Sequence, residues 1–427
     1  MQQSNMLYNV NDQPPIGRLF ITALQQLCSV LVATILIPAI CGVSVAPALV
    51  GAGIGTLVYQ LFTRRQSPMF ISSAGGFVAA VIGALSLGQA PNFTAVVIGG
   101  AITMIIYVLV GATVARVGVD WLNRLMPPII IGPVVTLIGL NLATFIPTYF
   151  QVNGQYSLVG IALGFIALVI AACISHYGKG FVRNLPFLVA IGITYVIALL
   201  VTILGIYPVI DLSAFNGISL FSMPDFTFFH LDFVNFDWSL LPQVMLLYAP
   251  ISFVCIAEHI ADHKALSSII GKDLIEYPGL GATLVGDGVA SFFGSLICSL
   301  NNTSYGESVG TTGFSRVAYK GVITLTAVFA IILGFVAPVQ AFFVSIPSCI
   351  FGGVAAILYG VIACSGIKVL ANSNIDYNDN KNITVISVIF TLGVSGLVID
   401  FGWISFTTTA LALIVGIILN AVLSNKN

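Results

Sequence analysis

The chain has 427 residues, of which 58% are hydrophobic and only 7% are charged, and its mean hydropathy is +1.07. A soluble domain carries about 25% charged residues, so this composition excludes a water-soluble protein and predicts an integral membrane protein. The formal net charge of −1 says little by itself, and we expect the lipid bilayer but no nucleic acid as a partner. Because the apolar segments are long and do not alternate with polar residues, we expect helices rather than a membrane barrel.

Hydropathy predicts about fourteen membrane crossings. Two of them, the third and the tenth, are poor helices because small and polar residues interrupt them. In chain order the predicted spans are 17–40, 46–63, 68–87, 94–115, 127–147, 157–176, 185–206, 242–263, 280–297, 299–316, 320–338, 348–369, 382–399 and 403–424.

The basic residues fall on one side of these spans. They lie at the start of the first span or near the ends of even-numbered spans, whereas the longest intervening loop, 207–241, carries Asp but no Lys or Arg. This positive-inside pattern predicts that both termini are cytoplasmic, and the compact loops fit a bacterial inner membrane. The basic residues are Arg18, Arg64, Arg65, Arg116, Arg124, Lys179, Arg183, Lys264, Lys272, Arg316, Lys320, Lys368, Lys381 and Lys426.

The two interrupted spans occupy corresponding places in two halves of seven spans. They begin "SPMFISSAGGF" at 67–77 and "SLICSLNNTSYGE" at 295–307, each with an extended run before a helical segment. Seven is odd, so the halves would be inverted relative to each other. Glycines at these places either allow close helix packing or permit unwound backbone at a substrate site. The paired occurrence favours a transporter's substrate site.

Four carboxylates lie within predicted spans, where an ionised group is expensive unless it faces a polar interior. Glu258 and Glu307 lie deep, and Glu307 flanks a helix break, so we interpret both as functional. Asp262 is either an interfacial acid or a functional one. For Asp287 a structural, hydrogen-bonded acid is favoured over substrate contact. His259 is expected to be a packed neutral histidine.

Several function classes lack their sequence signatures. The chain contains no phosphate-binding loop, no nucleophile elbow and no His-rich metal spacing, so we expect neither an enzyme nor an ATP-driven pump, and no cofactor or metal. An ion channel would show a filter repeat, and an anion transporter would place a basic residue near the half-helix ends. The deep carboxylates instead indicate coupling to protons.

Three long segments carry a family resemblance: "AEHIADHKALSSIIGKDLIEYPGL" at 257–280, "NNTSYGESVGTTGFSR" at 301–316 and "SIPSCIFGGVAAILYGVIACSGIKVL" at 345–370. Through them the chain resembles the nucleobase–ascorbate transporter family, also called nucleobase–cation symporter-2. The similarity covers essentially the whole chain and is greatest to the family's bacterial uracil permeases.

This resemblance implies an all-α polytopic membrane protein with 7+7 inverted repeats, a core domain and a gate domain. The third and tenth spans would each hold a short strand and a half-helix, and the protein would form a homodimer through the gate. The implied segments are a cytoplasmic N-terminus at 1–16, core parts at 17–120 and 242–340, and gate parts at 121–241 and 341–427.

The resemblance also implies the site residues. Glu258 matches the family's substrate-binding glutamate, and Glu307 opens its signature [QE]-N-x-G-x-x-x-x-T-[RK]. Tyr305 and Gly306 match the residues whose backbone N–H groups meet the base. The remaining implied residues are Ala74, Gly75 and Phe77 for substrate, Asp262 beside Glu258 for proton coupling, and Gln26, Asp287, Ser308, Gly310 and Arg316 as support.

Some positions depart from the family pattern. Ser308 and Ser315 replace the signature's Asn and Thr, and Gln26 replaces a frequent His. Asp262 replaces the His of many uracil permeases, and Ala74 replaces a stacking aromatic. Glu307 favours uracil, whereas Asp262 and Ala74 fit a larger purine.

The expected function is therefore proton-coupled uracil uptake by alternating access. The alternatives are a xanthine or uric acid permease and, less favoured, an anion transporter of the same fold.

Overall fold

The structure is a computed structural model, and part of the chain falls outside its description. Two basic residues of the predicted cytoplasmic pattern, Arg183 and Lys426, lie outside the described residues, as does the beginning of the predicted N-terminal segment. The described residues are 6–88, 91–152, 155–180, 182, 185–397, 399–400, 405–406 and 408–424.

Helices account for most of the fold, and each predicted span contains helical residues. Within the described ranges, nine helices are long and apolar enough to cross a membrane. The chain is therefore a multi-pass helical membrane protein, as the composition predicts. The helices are α1 Ile16–Cys41, α2 Val45–Phe62, α3 Val78–Leu85, α4 Phe93–Val117, α5 Asp120–Leu125, α6 Pro128–Ala143, α7 Ile146–Tyr149, α8 Leu158–Tyr177, α9 Pro186–Ile203, α10 Leu241–Ile270, α11 Leu280–Cys298, α12 Gly306–Ser315, α13 Lys320–Phe335, α14 Ala337–Ser345, α15 Ser348–Ala371, α16 Asn380–Val394 and α17 Thr408–Ser424.

The described residues also include six short strands. They form three antiparallel pairs, β1 with β4, β2 with β3 and β5 with β6. Only the β1–β4 pair joins distant parts of the chain. The strands are β1 Ile71–Ser73, β2 Gln151–Val152, β3 Gln155–Tyr156, β4 Asn302–Ser304, β5 Ile399–Asp400 and β6 Ser405–Phe406.

Strands β1 and β4 occupy the two predicted interruptions. Ser72 lies opposite Thr303 in an antiparallel register, and the N–H of Ala74 donates to the carbonyl of Asn301 at 2.7 Å. A short 3-10 turn, Gly75–Phe77, leads from β1 into α3, and α12 follows β4 after Tyr305. Because the two chain segments run in opposite directions, their short helices start from a common place in the protein interior.

Helix α10 is longer than hydropathy predicts, because it continues to Ile270 rather than ending near 263. Asp262, His263 and Lys264 lower the local hydropathy, but none of them breaks a helix. The helix ends where Gly271 adopts a left-handed φ of 68°. As a result Asp262 and His263 lie inside the helix rather than at its end.

The helices pack in two groups. In the first, α11 lies against α4 and α2, α2 lies against α13, and α10 lies against α4. In the second, α15 lies against α6 and α8, and α16 lies against α17 and α6. Close backbone approach holds the first group together, since a Cβ added to Gly281 would lie 2.7 Å from the carbonyl oxygen of Gly111. The β1–β4 pair belongs to the first group and faces the second.

Candidate functional site

A cavity of about 80 Å³ lies at the crossing of β1 and β4, between the two groups of helices. Its polar wall comes from the starts of the two short helices and from α10, and its apolar wall comes from α1, α3, α6 and α15. The lining residues are Ala33, Ile37, Ile40, Gly75, Gly76, Val78, Val135, Ile138, Leu142, Glu258, Thr303, Ser304, Tyr305, Gly306, Glu307, Leu358, Tyr359 and Ile362.

The two deep carboxylates meet at this cavity. Glu258 lies near the middle of α10, and Glu307 lies in the first turn of α12. Both residues are accessible because they open into the cavity. The structure therefore brings Glu258, Glu307, Tyr305, Gly306 and Gly75 together, as the sequence predicts.

The start of α12 gives the cavity hydrogen-bond donors beside an acceptor. Tyr305 is extended, with φ −112° and ψ 121°, and the helix begins at Gly306. The first N–H groups of a helix have no partner within it, and the helix dipole makes this end positive. The Tyr305 hydroxyl donates to the carbonyl of Ser73 at 2.6 Å, which ties α12 to β1. The Glu307 carboxylate thus lies beside backbone donors held in a fixed orientation.

Asp262 contacts β4 rather than the cavity wall. The Ser304 hydroxyl donates to Asp262 Oδ2 at 3.0 Å, and Ser304 itself lines the cavity. Asp262 is half-buried within α10. It lies next to the strand, one turn of helix beyond Glu258.

Asp287 is a buried hydrogen-bonded acid, as we expected. Its Oδ2 lies 2.7 Å from His259 Nδ1 and accepts a hydrogen bond from the Thr303 hydroxyl at 3.3 Å. His259 is fully buried, and it turns away from Glu258 toward α11. Thr303, which lines the cavity, therefore connects the His259–Asp287 pair to the cavity wall.

Two of the implied substrate residues, Ala74 and Phe77, do not line the cavity. Ala74 is buried, and its N–H pairs with β4. Phe77 is also buried, and its ring stacks on Tyr248 with centroids 5.9 Å apart. The third span reaches the cavity through Gly75, Gly76 and Val78 instead.

The supporting residues brace α12 from three directions. The Gln26 side-chain amide donates to the Ser308 carbonyl at 3.2 Å and also contacts the Ser308 hydroxyl. The Ser308 hydroxyl accepts from the Phe70 N–H at 3.1 Å. Arg316 ends α12 with a left-handed φ of 57°, and its carbonyl accepts from the Leu7 N–H at 2.8 Å. These bonds fix α12 to α1, to the beginning of β1 and to the N-terminal segment.

A second cavity, of about 220 Å³, also reaches Glu307. Gly310 lies on it, together with residues from α1 and from the beginning of α9. The basic residues that follow even-numbered spans place the beginning of α9 on the predicted cytoplasmic side. Glu307 therefore contacts one cavity toward the middle of the protein and another toward that side.

Sequence reasoning missed three polar residues of the cavity wall, as well as its apolar residues. Thr303 and Ser304 contribute through β4, and Tyr359 contributes from α15, where it is 1% exposed. A signal for Tyr359 exists, because it is the single tyrosine of the apolar span 348–369. Among the described residues no Lys or Arg side chain is buried, so the cavity is built without a fixed positive charge.

The chain is similar in sequence and in fold to known membrane transporters. Residues 17–401 match the sequence model of a family described as the permease family. The chain is 33% identical to the uracil permease of Bacillus caldolyticus over 98% of this chain and 95% of the relative. It is 34% identical to the uracil permease of Bacillus subtilis (strain 168) over 99% of this chain and 96% of the relative. In fold it is similar to the transmembrane domain of the cyanobacterial bicarbonate transporter BicA. That likeness has a TM-score of 0.64 at 15% identity and covers 97% of this chain and 99% of that one.

Proposed function

The chain belongs to this permease family, the nucleobase–ascorbate transporter family that its motifs resemble, and we propose that it takes up uracil together with protons. One observation carries the proposal. Two carboxylates, Glu258 and Glu307, line a single small cavity with the positive end of α12 and without a buried cation.

This cavity matches the hydrogen-bonding groups of a neutral nucleobase. Uracil has ring N–H donors and carbonyl acceptors. The carboxylates of Glu258 and Glu307 accept from the N–H groups, while the backbone N–H groups at Gly306 and Glu307 donate to a carbonyl. A site built for such pairing rejects analogues that lack these groups, because its own polar groups would then stay unpaired.

The proposed coupling ion is H⁺, and no cofactor takes part. Glu258 carries the coupled proton, and Glu307 is the acceptor that orients the base. Carboxyl groups within a membrane protein's interior are the usual proton carriers of transporters. Asp262, one turn along α10 and bonded to Ser304 of β4, takes part in this proton coupling beside Glu258.

The proposed transport cycle is alternating access between two domains. The two packing groups support a core domain, 17–120 with 242–340, and a gate domain, 121–241 with 341–427. We propose fourteen crossings in inverted repeats, cytoplasmic termini in a bacterial inner membrane, and a homodimer formed through the gate. The antiparallel β1–β4 pairing supports the inversion, since each strand comes from the corresponding span of its half.

The alternatives are less well supported. The named relatives are uracil permeases rather than purine permeases. The likeness to BicA concerns the fold alone, and the described residues of the cavity wall include no Lys or Arg that would bind an anion.

Uptake of labelled uracil, xanthine and urate into proteoliposomes with an imposed pH gradient tests the proposal. We expect uracil to enter and xanthine and urate to compete weakly. Preferential uptake of xanthine or urate would reassign the base. No uptake of any base, alongside anion flux, would overturn the proposed function.

A further inference from the structure

The buried pair of His259 and Asp287 is a titratable unit that the proposed transport step does not use. His259 Nδ1 and Asp287 Oδ2 are 2.7 Å apart, and both side chains are 0% exposed. The Thr303 hydroxyl donates to the same Oδ2 at 3.3 Å and belongs to a residue of the cavity wall. The pair is thus shielded from the cavity but linked to it by one hydrogen bond.

Each member of the pair has one acceptor atom that accepts no hydrogen bond from the described residues. His259 Nε2 and Asp287 Oδ1 are buried and have no hydrogen-bond partner among the described residues. A neutral His259 donates its Nδ1–H to the Asp287 carboxylate, which leaves the Nε2 lone pair unused. The Nε2 lone pair is therefore the position on the pair that can take a further proton.

A second histidine prepares the surroundings for an imidazolium at His259. The rings of His259 and His263 stack with centroids 4.0 Å apart and planes at 27°. His263 Nδ1 donates to the His259 carbonyl at 2.8 Å, and its Nε2 lies 2.6 Å from the Tyr59 hydroxyl. These bonds hold His263 in one neutral tautomer. The π face of that ring can then stabilise a cation at His259 from one side, while Asp287 does so from the other.

The electrostatic surroundings of the pair are acidic or neutral. No Lys or Arg among the described residues is buried, so no fixed cation balances Asp287. The neighbours on α2, α4 and α10 that interact electrostatically with the pair are Tyr59, Tyr107, Cys255, Glu258, Asp262 and His263. A proton on the pair therefore offsets the charge of a region that holds several carboxylates.

We propose that the His259–Asp287 pair binds a second proton, which the transport cycle carries together with the proton on Glu258. The inference rests on the proposed function. Loading forms an Nε2–H bond on His259 with a proton from external water and leaves Asp287 as the carboxylate, and release breaks this bond and returns the proton to cytoplasmic water. The two groups bind this proton as a unit. Since the base is neutral, two positive charges cross the membrane with each uracil.

The number of protons carried can be measured in proteoliposomes that contain the full-length protein, with the membrane potential clamped at zero. The measured quantity is the uracil concentration ratio at which net flux stops under an imposed pH difference. Each proton carried multiplies this ratio by about ten for each pH unit. We expect about a hundredfold for the wild type and about tenfold for Asp287→Asn.

The chain offers a matched control for this variant. His230 and Asp225 form another His–Asp pair at 2.7 Å, but this pair is exposed in the external loop. Asp225→Asn should therefore keep the wild-type ratio. The comparison separates the effect of a buried pair from the general effect of removing a carboxylate that is bonded to a histidine.

The outcomes separate this inference from the proposed function. A wild type that moves no uracil refutes the proposed function. A wild type that transports uracil at about tenfold per pH unit, or an Asp287→Asn variant at the wild-type ratio, overturns only the proton pair. If Asp287→Asn does not transport, proton uptake on uracil binding is measured with a pH indicator on purified Asp287→Asn and His259→Gln. We expect one proton fewer than in the wild type for both variants, and equal uptake overturns the inference.

Discussion

At the scale of single residues, the carboxylates of Glu258 and Glu307 reach the same cavity for different structural reasons. Glu258 reaches it because α10 passes the β1–β4 crossing at its middle, and Glu307 because α12 begins there. The hydropathy and the helix break predicted both residues. The sequence did not predict their neighbours His259 and Asp287 as a pair, because a contact between residues on different helices leaves no trace in local periodicity.

Glu258→Gln removes the charged acceptor and the proposed proton carrier but keeps the size of the side chain. A hydrogen bond to a charged group contributes about 1.5–3 kcal/mol, so uracil binding should weaken roughly tenfold to a hundredfold. The remaining uptake should lose the proton that Glu258 carries, so its dependence on the pH gradient should be weaker than in the wild type. Glu276→Gln, at an exposed carboxylate outside the cavity, is the control and should behave as the wild type. An undiminished gradient dependence in Glu258→Gln would show that another group carries the proton.

Tyr305→Phe removes the hydroxyl that donates to the Ser73 carbonyl at 2.6 Å. The lost bond leaves a buried carbonyl without this donor, so we expect the free energy of unfolding to fall by about 1 kcal/mol. Thermal unfolding in detergent measures this as a lower Tm. Tyr156→Phe, at an exposed tyrosine, is the control. Equal Tm values for the two variants would mean that the bond between α12 and β1 does not stabilise the fold.

At the scale of elements, the long helices were predictable and the shortest elements were only partly so. The spans follow from hydropathy because each is a long apolar run. Strands β1 and β4 have three residues each, and only the pairing between them makes them strands. The sequence indicated an interruption at both places, but the register of Ser72 with Thr303 depends on how the two halves pack. The same dependence explains why Phe77 was expected at the cavity but stacks on Tyr248 instead.

The contact between α4 and α11 gives a test at this scale. A Cβ added to Gly281 would lie 2.7 Å from the Gly111 carbonyl oxygen, and the backbone cannot move without separating the helices. Gly281→Leu should therefore destabilise the protein by at least about 1–3 kcal/mol and lower the yield of monodisperse protein in size-exclusion chromatography. Gly192→Leu on α9 is the matched control, because no atom lies within 4 Å of its added Cβ. Similar yields for the two variants would contradict the packing of α4 on α11.

At the scale of the whole molecule, the distribution of charge predicts orientation. The loop 207–241 carries Asp without Lys or Arg, whereas the segment between α15 and α16 is flanked by Lys368 and Lys381. The fold itself does not identify a side, since no element of it depends on which face is cytoplasmic. Orientation therefore comes from the sequence, and the arrangement of the cavity comes from the structure.

Labelling of introduced cysteines tests this orientation in cells that express a variant without the native cysteines. Asn216→Cys, in the loop 207–241 that the charge pattern predicts to be external, should react with a membrane-impermeant maleimide in intact cells. Asn378→Cys, at an equally exposed asparagine between α15 and α16, should react only after the membrane is opened. The reverse pattern would place the termini outside the cell.

The most direct test of the central claim is the steady-state distribution of labelled uracil across right-side-out vesicles whose exterior is more acidic than their interior. We predict that the wild type concentrates uracil inside, that a protonophore abolishes the concentration difference, and that Glu258→Gln reaches a smaller concentration ratio than the wild type. Equal concentrations in the wild type regardless of the pH gradient would contradict proton-coupled uptake of uracil at this cavity.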